Sequence, residues 1–275
     1  MNMYKIKSNL KVMRKNSWEK RGQMTIFIIV AILIVALVGL AYAFYPEIKT
    51  SLGFEEDNPN QFLQSCLEED IKSTLNTISL QGGSLTPSHY IMYDDSRVEY
   101  LCYTSEYYKT CVMQQPMLES HIEKEIEKAI NEQALECLQE LDEKYRSKGY
   151  SVDRGGNKFK IELLPDKVLA TFDTALTLTS TADSSKRYES IRFMVDNNLY
   201  ELVSIANSIL NMEAHYGDAE TTIYMDYYRN LKVEKKTQSD GSTVYVLTEA
   251  DSGNKFMFAS RSVAWPPGYS TEVVF

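Results

Sequence analysis

The chain has 275 residues, with 29 Lys+Arg against 38 Asp+Glu and a formal charge of −9. Its 44% apolar content is enough to fill a core, which excludes an intrinsically disordered chain. The charge is divided: residues 1–22 carry seven bases and one acid, residues 23–45 carry no charge, and the remainder carries −15, which disfavours a nucleic-acid role for the main body.

In chain order, a basic head (1–22) is followed by the apolar run Met24–Tyr45, 22 residues long. At ~1.5 Å per residue a helix of that length covers about 33 Å, enough to cross a hydrocarbon core. It is the only such run, which excludes a polytopic carrier. Tyr42, Phe44 and Tyr45 suit a membrane interface, and Pro46 follows. The bases all precede the run, so the positive-inside rule predicts a single-pass signal anchor, with residues 1–22 cytoplasmic and 46–275 outside the cell membrane. Two processed forms compete with a retained anchor. Ala41-Tyr42-Ala43 fits a signal-peptidase site, with cleavage before Phe44. Lys20-Arg21-Gly22-Gln23-Met24-Thr25-Ile26-Phe27 resembles the prepilin-type (class III) signal segments of archaea, which are cleaved just before the apolar helix. Gly22, Gln23, Ala41 and Ala43 are therefore the candidate processing residues. Pilin subunits carry a glutamate a few residues into the helix, and Met24–Phe27 has none.

After a linker (46–57) that turns acidic at Glu55-Glu56-Asp57, Asn58-Pro59 predicts a capped helix start. Phe62, Cys66, Leu67, Ile71, Leu75 and Ile78 follow at helical spacing, and Gln81-Gly82-Gly83 stops the helix. Residues 84–115 are tyrosine-rich and read as irregular. Pro116 opens a long helix with Ile122, Ile126, Ile130, Ala134, Cys137, Leu141 and Tyr145 on one face. Glu123, Lys124, Glu127 and Lys128 read as its solvated face, and Gly149 ends it. Gly155-Gly156 reads as a hairpin turn. Apolar residues alternate over Phe159–Leu163 and Val168–Leu178, then, after the turn Ala182-Asp183-Ser184-Ser185, over Ile191–Val195. Asp196-Asn197 caps another helix through Leu199, Leu202, Val203, Ala206, Ile209 and Leu210, ending at Gly217. Strands are expected near 221–226, 243–249 and 254–260, separated by the turns Ser239–Ser242 and Asp251–Gly253. The expected fold class is α+β: one N-terminal transmembrane helix plus a disulfide-tied extracytoplasmic domain (58–275) with three helices and an antiparallel sheet, mostly after residue 150.

The four cysteines, Cys66, Cys102, Cys111 and Cys137, all lie beyond the apolar run, which points to disulfides in an oxidising compartment. Four cysteines allow three pairings. Cys66–Cys137 with Cys102–Cys111 is preferred, because the first pair lies on the apolar faces of two helices and the second brackets a short loop.

The chain carries little recognisable chemistry. His89, His121 and His215 are isolated, with no metal-ligand spacing. There is no nucleophile elbow, phosphate loop or dinucleotide fingerprint. Glu55-Glu56-Asp57 and Glu68-Glu69-Asp70 lack the alternation of a calcium loop. No catalytic, cofactor-binding or metal residue is therefore assigned. Tyr90, Tyr93, Tyr100, Tyr103, Tyr107 and Tyr108 form a candidate binding face, or else a satellite core around the Cys102–Cys111 loop.

The order of basic head, Gly-Gln-Met-Thr entry to the span, Cys66 helix, Gln81-Gly82-Gly83, tyrosine-rich loop and Cys137 helix resembles uncharacterised archaeal single-span, membrane-anchored surface proteins. The group has no assigned activity, so the resemblance transfers no site residue. Two function classes follow. One is a non-enzymatic envelope protein that binds a partner, such as another envelope protein or a surface layer. The other is an anchored hydrolase with a dispersed site, which a deep pocket with converging acids or a histidine would favour. A pilin-like subunit is a third reading.

Overall fold

The structure, a computed structural model, describes residues 28–36, 58–180 and 185–266. The chain divides into two units, Met1–Asp57 and Asn58–Phe275. In the first, residues 28–36 form helix α1. Among the described residues no helix is long and apolar enough to cross a membrane. The rest of the predicted span, the linker and the processing residues Gly22, Gln23, Ala41 and Ala43 lie outside the described residues.

The second unit is α+β. Helix α2 (Pro59–Leu80) starts as the sequence predicts: Asn58 Oδ1 accepts the Asn60 N–H at 3.1 Å and Pro59 needs no donor partner. Gly82 and Gly83 end it at φ +78° and +102°, where a Cβ would meet Glu99 Cβ at 2.8 Å and Ile122 Cγ1 at 2.9 Å. The long helix α3 (Leu118–Ser147) packs on α2, and Cys66–Cys137 joins the two with their Cα atoms 6.1 Å apart. Cys102–Cys111 closes the short loop, with Cα atoms 5.3 Å apart. Both pairings are the preferred ones.

Two sheets flank the helices. In one, β4 (Ser151–Leu164) and β5 (Lys167–Thr179) form a long antiparallel hairpin, and the far edge of β5 is shared by β6 (Ser185–Tyr188) and β7 (Ile191–Asp196). Gly155-Gly156 is not the hairpin turn; it is a bulge within β4, where Gly156 takes φ +83°. The turn is Pro165-Asp166. Of the predicted turn Ala182–Ser185, only Ser185 is described, and it opens β6.

The other sheet corrects the reading of residues 84–115 as irregular. That segment supplies β1 (Tyr90–Tyr93), β2 (Ser96–Tyr103) and β3 (Val112–Met113). The sheet order is β1-β2-β10-β9-β8, with β3 also on β2. Strand β10 (Lys255–Arg261) runs parallel to β2, so this sheet is mixed. Strand β2 is buried over Val98–Cys102, on both faces of the sheet, so its sequence lacks the alternation that betrays a half-exposed strand. The strand expected near 221–226 is helix α5 (Thr222–Tyr227), and the strand is β8 (Leu231–Thr237), paired with β9 (Ser242–Glu249). A six-residue segment rich in Thr and Tyr is ambiguous by periodicity. Tertiary packing decides it here, through the bond between the Tyr224 and Ser208 hydroxyls at 2.7 Å.

One continuous core joins α2, α3 and helix α4 (Leu199–Tyr216) to the inner faces of both sheets. A smaller core of Val98, Tyr100, Val244, Val246, Met257 and Ala259 occupies the second face of the mixed sheet.

A candidate ligand cavity

A cavity of about 880 Å³ lies among the first half of α4, helix α5, the start of β8, the β9–β10 turn and the β4–β5 turn. Local rules build each wall. Asn198 is the N-cap of α4, one residue beyond the predicted Asp196-Asn197, and its side chain makes no cap bond; Asn197 Oδ1 accepts the Leu199 N–H at 2.9 Å. Asn197 donates its own N–H to the carbonyl of Asp166, a turn residue at φ +62°. Glu249 holds the β9–β10 turn by accepting the N–H groups of Asp251 and Ser252 at 3.1 and 2.6 Å. Asn254 donates to Asn198 Oδ1 at 2.7 Å, tying that turn to the entry of α4.

The floor is apolar, from Leu202, Ile205 and Leu231, and Tyr200, Tyr224 and Tyr228 stand around it. Five carboxylates line the cavity: Asp166, Asp196, Glu201, Glu249 and Asp251. Among the described residues no lysine, arginine or histidine does so. Glu201, in the first turn of α4, accepts the Asp166 N–H on Oε1 at 2.9 Å, while its Oε2 is buried with no hydrogen-bond partner. The Ser252 backbone N–H, with help from the Ser252 side chain and Asp251, holds Glu249 below the usual carboxylate range. A smaller cavity of about 230 Å³ adjoins, sharing Asp196, Asn197, Leu202 and Asn254 and adding Lys72 and Lys255.

A carboxyl that serves as general acid near neutral pH needs a raised pKa. The groups raised here are Glu99, Glu123 and Glu213, each by burial, and none lines the cavity. Among the described residues no group of three His, Cys, Asp or Glu side chains is placed to hold a metal ion.

Among the described residues, Ser84, Glu99 and His121 have the composition of a nucleophile site. Ser84 Oγ lies 2.5 Å from Glu99 Oε2 and 2.7 Å from His121 Nε2. The serine sits between the acid and the imidazole, whereas activation requires the imidazole between serine and acid. Ser84 is also only 5% exposed. These residues clasp the turn after α2 to β2 and α3. His215, by contrast, bonds the Asn211 carbonyl one turn back on α4 and lies beside the Tyr216 ring.

The six tyrosines proposed as a face are found in three places. Tyr93, Tyr100 and Tyr103 lie on the second face of the mixed sheet, where the rings of Tyr100 and Tyr103 pack 4.6 and 4.3 Å from that of His89. Tyr90 stacks under the Arg97 guanidinium at 5.4 Å. Tyr107 meets Arg261 at 5.3 Å, and Tyr108 meets Trp265 edge-on at 4.9 Å. Tyr93, Tyr100 and Tyr103 belong to the second core, whereas Cys102 and Cys111 lie in the main one. The sequence reading does not reach the cavity tyrosines; Tyr224, within the stretch 221–226 read as strand, and Tyr228, just beyond it, sit at i and i+4, and that spacing is the available signal.

No protein-family model, curated protein or solved structure matches this chain.

Proposed function

We propose that the protein is a membrane-anchored extracytoplasmic binding protein, in which the disulfide-tied α+β domain takes a ligand in the α4–α5 cavity. The observation that carries the anchor is helix α1: Ile28, Ile29, Val30, Ile32, Leu33, Ile34 and Val35 are 46–71% exposed, and together they circle the helix. A helix that is apolar on every side belongs in lipid or in a buried core. The basic residues before it orient the domain outward. Two disulfides agree with an oxidising compartment. Protease added to intact cells or spheroplasts should digest the chain beyond Pro46 and spare residues 1–22; protection of the domain overturns the anchored reading.

A further inference from the structure

We infer that Ser84, Glu99 and His121 form a proton-operated clasp: uptake of a proton by the Glu99–His121 pair fastens the turn after α2 to β2 and α3, and its loss loosens that turn. No clasp residue lines the α4–α5 cavity, and the clasp needs no ligand.

Three segments meet at one hydroxyl. Gly82 and Gly83, both at positive φ, turn the chain so that Ser84 faces the sheet. Glu99 comes from β2, where its own N–H reaches the Gln81 carbonyl at 3.4 Å, and His121 comes from the first turn of α3. Ser84 Oγ stands 2.5 Å from Glu99 Oε2 and 2.7 Å from His121 Nε2. Ser84 and Glu99 are buried, while His121 is half-buried and gives a proton a way in from solvent.

A serine has one proton to give. Where Glu99 is ionised, the hydroxyl donates to the carboxylate and accepts the imidazole N–H at Nε2. Where Glu99 holds a proton, the carboxyl donates to Ser84 and the hydroxyl donates to a bare Nε2. Both patterns keep both bonds, and they differ by one proton. Because a single hydroxyl joins the two ends, that proton belongs to the pair.

Charge decides which pattern the fold favours. His121 and Glu125 face Glu99 from α3, and Tyr90, stacked with the Arg97 guanidinium at 5.4 Å, pairs with it from β1. Glu125 is committed to the same turn, accepting the Leu85 N–H at 3.1 Å. Without the extra proton, two carboxylates share the site with a neutral imidazole. Burial is the chief influence on the Glu99 carboxyl and raises it; Ser84 and His121 oppose this, and Glu125 adds to it. A carboxyl raised in the folded state contributes stability that is complete below the ordinary carboxylate range and is lost as pH rises through the folded value. The clasp is therefore fast in acid and loose above that value. With the domain outside, as proposed, it answers to the acidity of the medium.

Loosening has a limited reach. The clasp sits at the end of α2 and the start of α3, whereas Cys66–Cys137 ties the opposite ends of the same helices. Beyond Ser84 the chain enters β1, which lies at the edge of the mixed sheet and pairs with β2. Release thus frees the turn and the edge strand while the helices stay joined.

The test is hydrogen exchange followed by mass spectrometry on the full chain in phosphatidylcholine nanodiscs, from about pH 4 to about pH 8, with each peptide referred to its unstructured exchange rate at that pH. Protection over residues 82–89 should fall about tenfold as pH rises, while the α2 segment around Cys66 keeps its own. Glu99→Gln still accepts from Ser84 but does not titrate, so its profile should be flat. His121→Gln leaves the proton one residue to occupy and should move the midpoint to lower pH. Ser84→Ala, which cuts the link, should lower protection of the turn at every pH. Protection of the turn that does not change with pH, or a parental profile in Glu99→Gln or Ser84→Ala, overturns the clasp, and an unmoved midpoint in His121→Gln overturns the sharing of the proton.

Discussion

Glu213, in the last turn of α4, is 3% exposed and accepts hydrogen bonds from the Tyr245 hydroxyl and, at 3.0 Å, from Ser260 Oγ. A carboxylate at a helix C-terminus faces the negative end of the dipole. Burial raises its pKa, and the two hydroxyls only partly oppose this. Burial, together with the Glu213 charge, likewise raises the Tyr245 phenol. With its pKa raised, the folded state keeps a proton that the unfolded chain has released. Stability therefore falls as pH rises from the ordinary carboxylate range to the folded value, and is constant above it. Glutamine accepts from Tyr245 and donates to Ser260 without a charge to desolvate. The Glu213→Gln thermal midpoint should depend less on pH across this window and should be no lower than the parent's at neutral pH. A parallel pH profile, or a loss at neutral pH, would show that the carboxylate is stabilising as an anion.

At the scale of elements, α3 does more than bury a stripe. Glu123 and Glu127 read from the sequence as a solvated face, but they accept the N–H groups of Leu163 and Ile161 at 2.9 and 3.0 Å. The helix thus covers the free edge of β4, a 14-residue strand that would otherwise offer unpaired donors to another chain. Glu125 does the same for the Leu85 N–H at 3.1 Å on the other side of the helix. Burial raises the Glu123 carboxyl, the cost of this arrangement. Glu127→Ala should orphan the Ile161 amide and destabilise the domain by about 1–3 kcal/mol, with faster hydrogen exchange at that amide. Glu127→Gln should stay near the parent. Unaltered exchange in the alanine variant would mean that solvent already serves this edge.

At the scale of the whole molecule, the Cys66–Cys137 bridge closes a segment 71 residues apart in sequence and joins α2 to α3 within the common core, whereas Cys102–Cys111 spans 9. Loop entropy assigns about 4 kcal/mol to the long link and about 2.5 to the short one. Cys66→Ser should therefore cost more than Cys102→Ser in urea titrations. It should also leave Cys137, nearly buried, unreactive to maleimide until the domain unfolds. Peptide mapping that links Cys66 to Cys102 or Cys111 would overturn the arrangement of the two helices.

Elements that depend on neighbours in the chain were legible before the fold was known. The Asn58-Pro59 cap, the Gly82-Gly83 stop, the stripe from Ile122 to Tyr145, the alternation of β5 and the Cys102–Cys111 bridge each follow from a period, a cap or a short spacing, and the Cys66–Cys137 bridge follows from two helical stripes that each carry a cysteine. Strand β2 was hidden because it is covered on both sides, and α5 because six residues carry too little periodicity. The roles of Glu123 and Glu127 were hidden because a helix face facing water and one facing a sheet edge have the same composition. The cavity lay furthest from view. Asp166, Glu201, Tyr228 and Asp251 come from four separate stretches of chain, none a motif by itself. They meet because the β4–β5 and β9–β10 turns and the start of α4 pack together, and a carboxylate becomes an unsatisfied acceptor only when that packing removes its water.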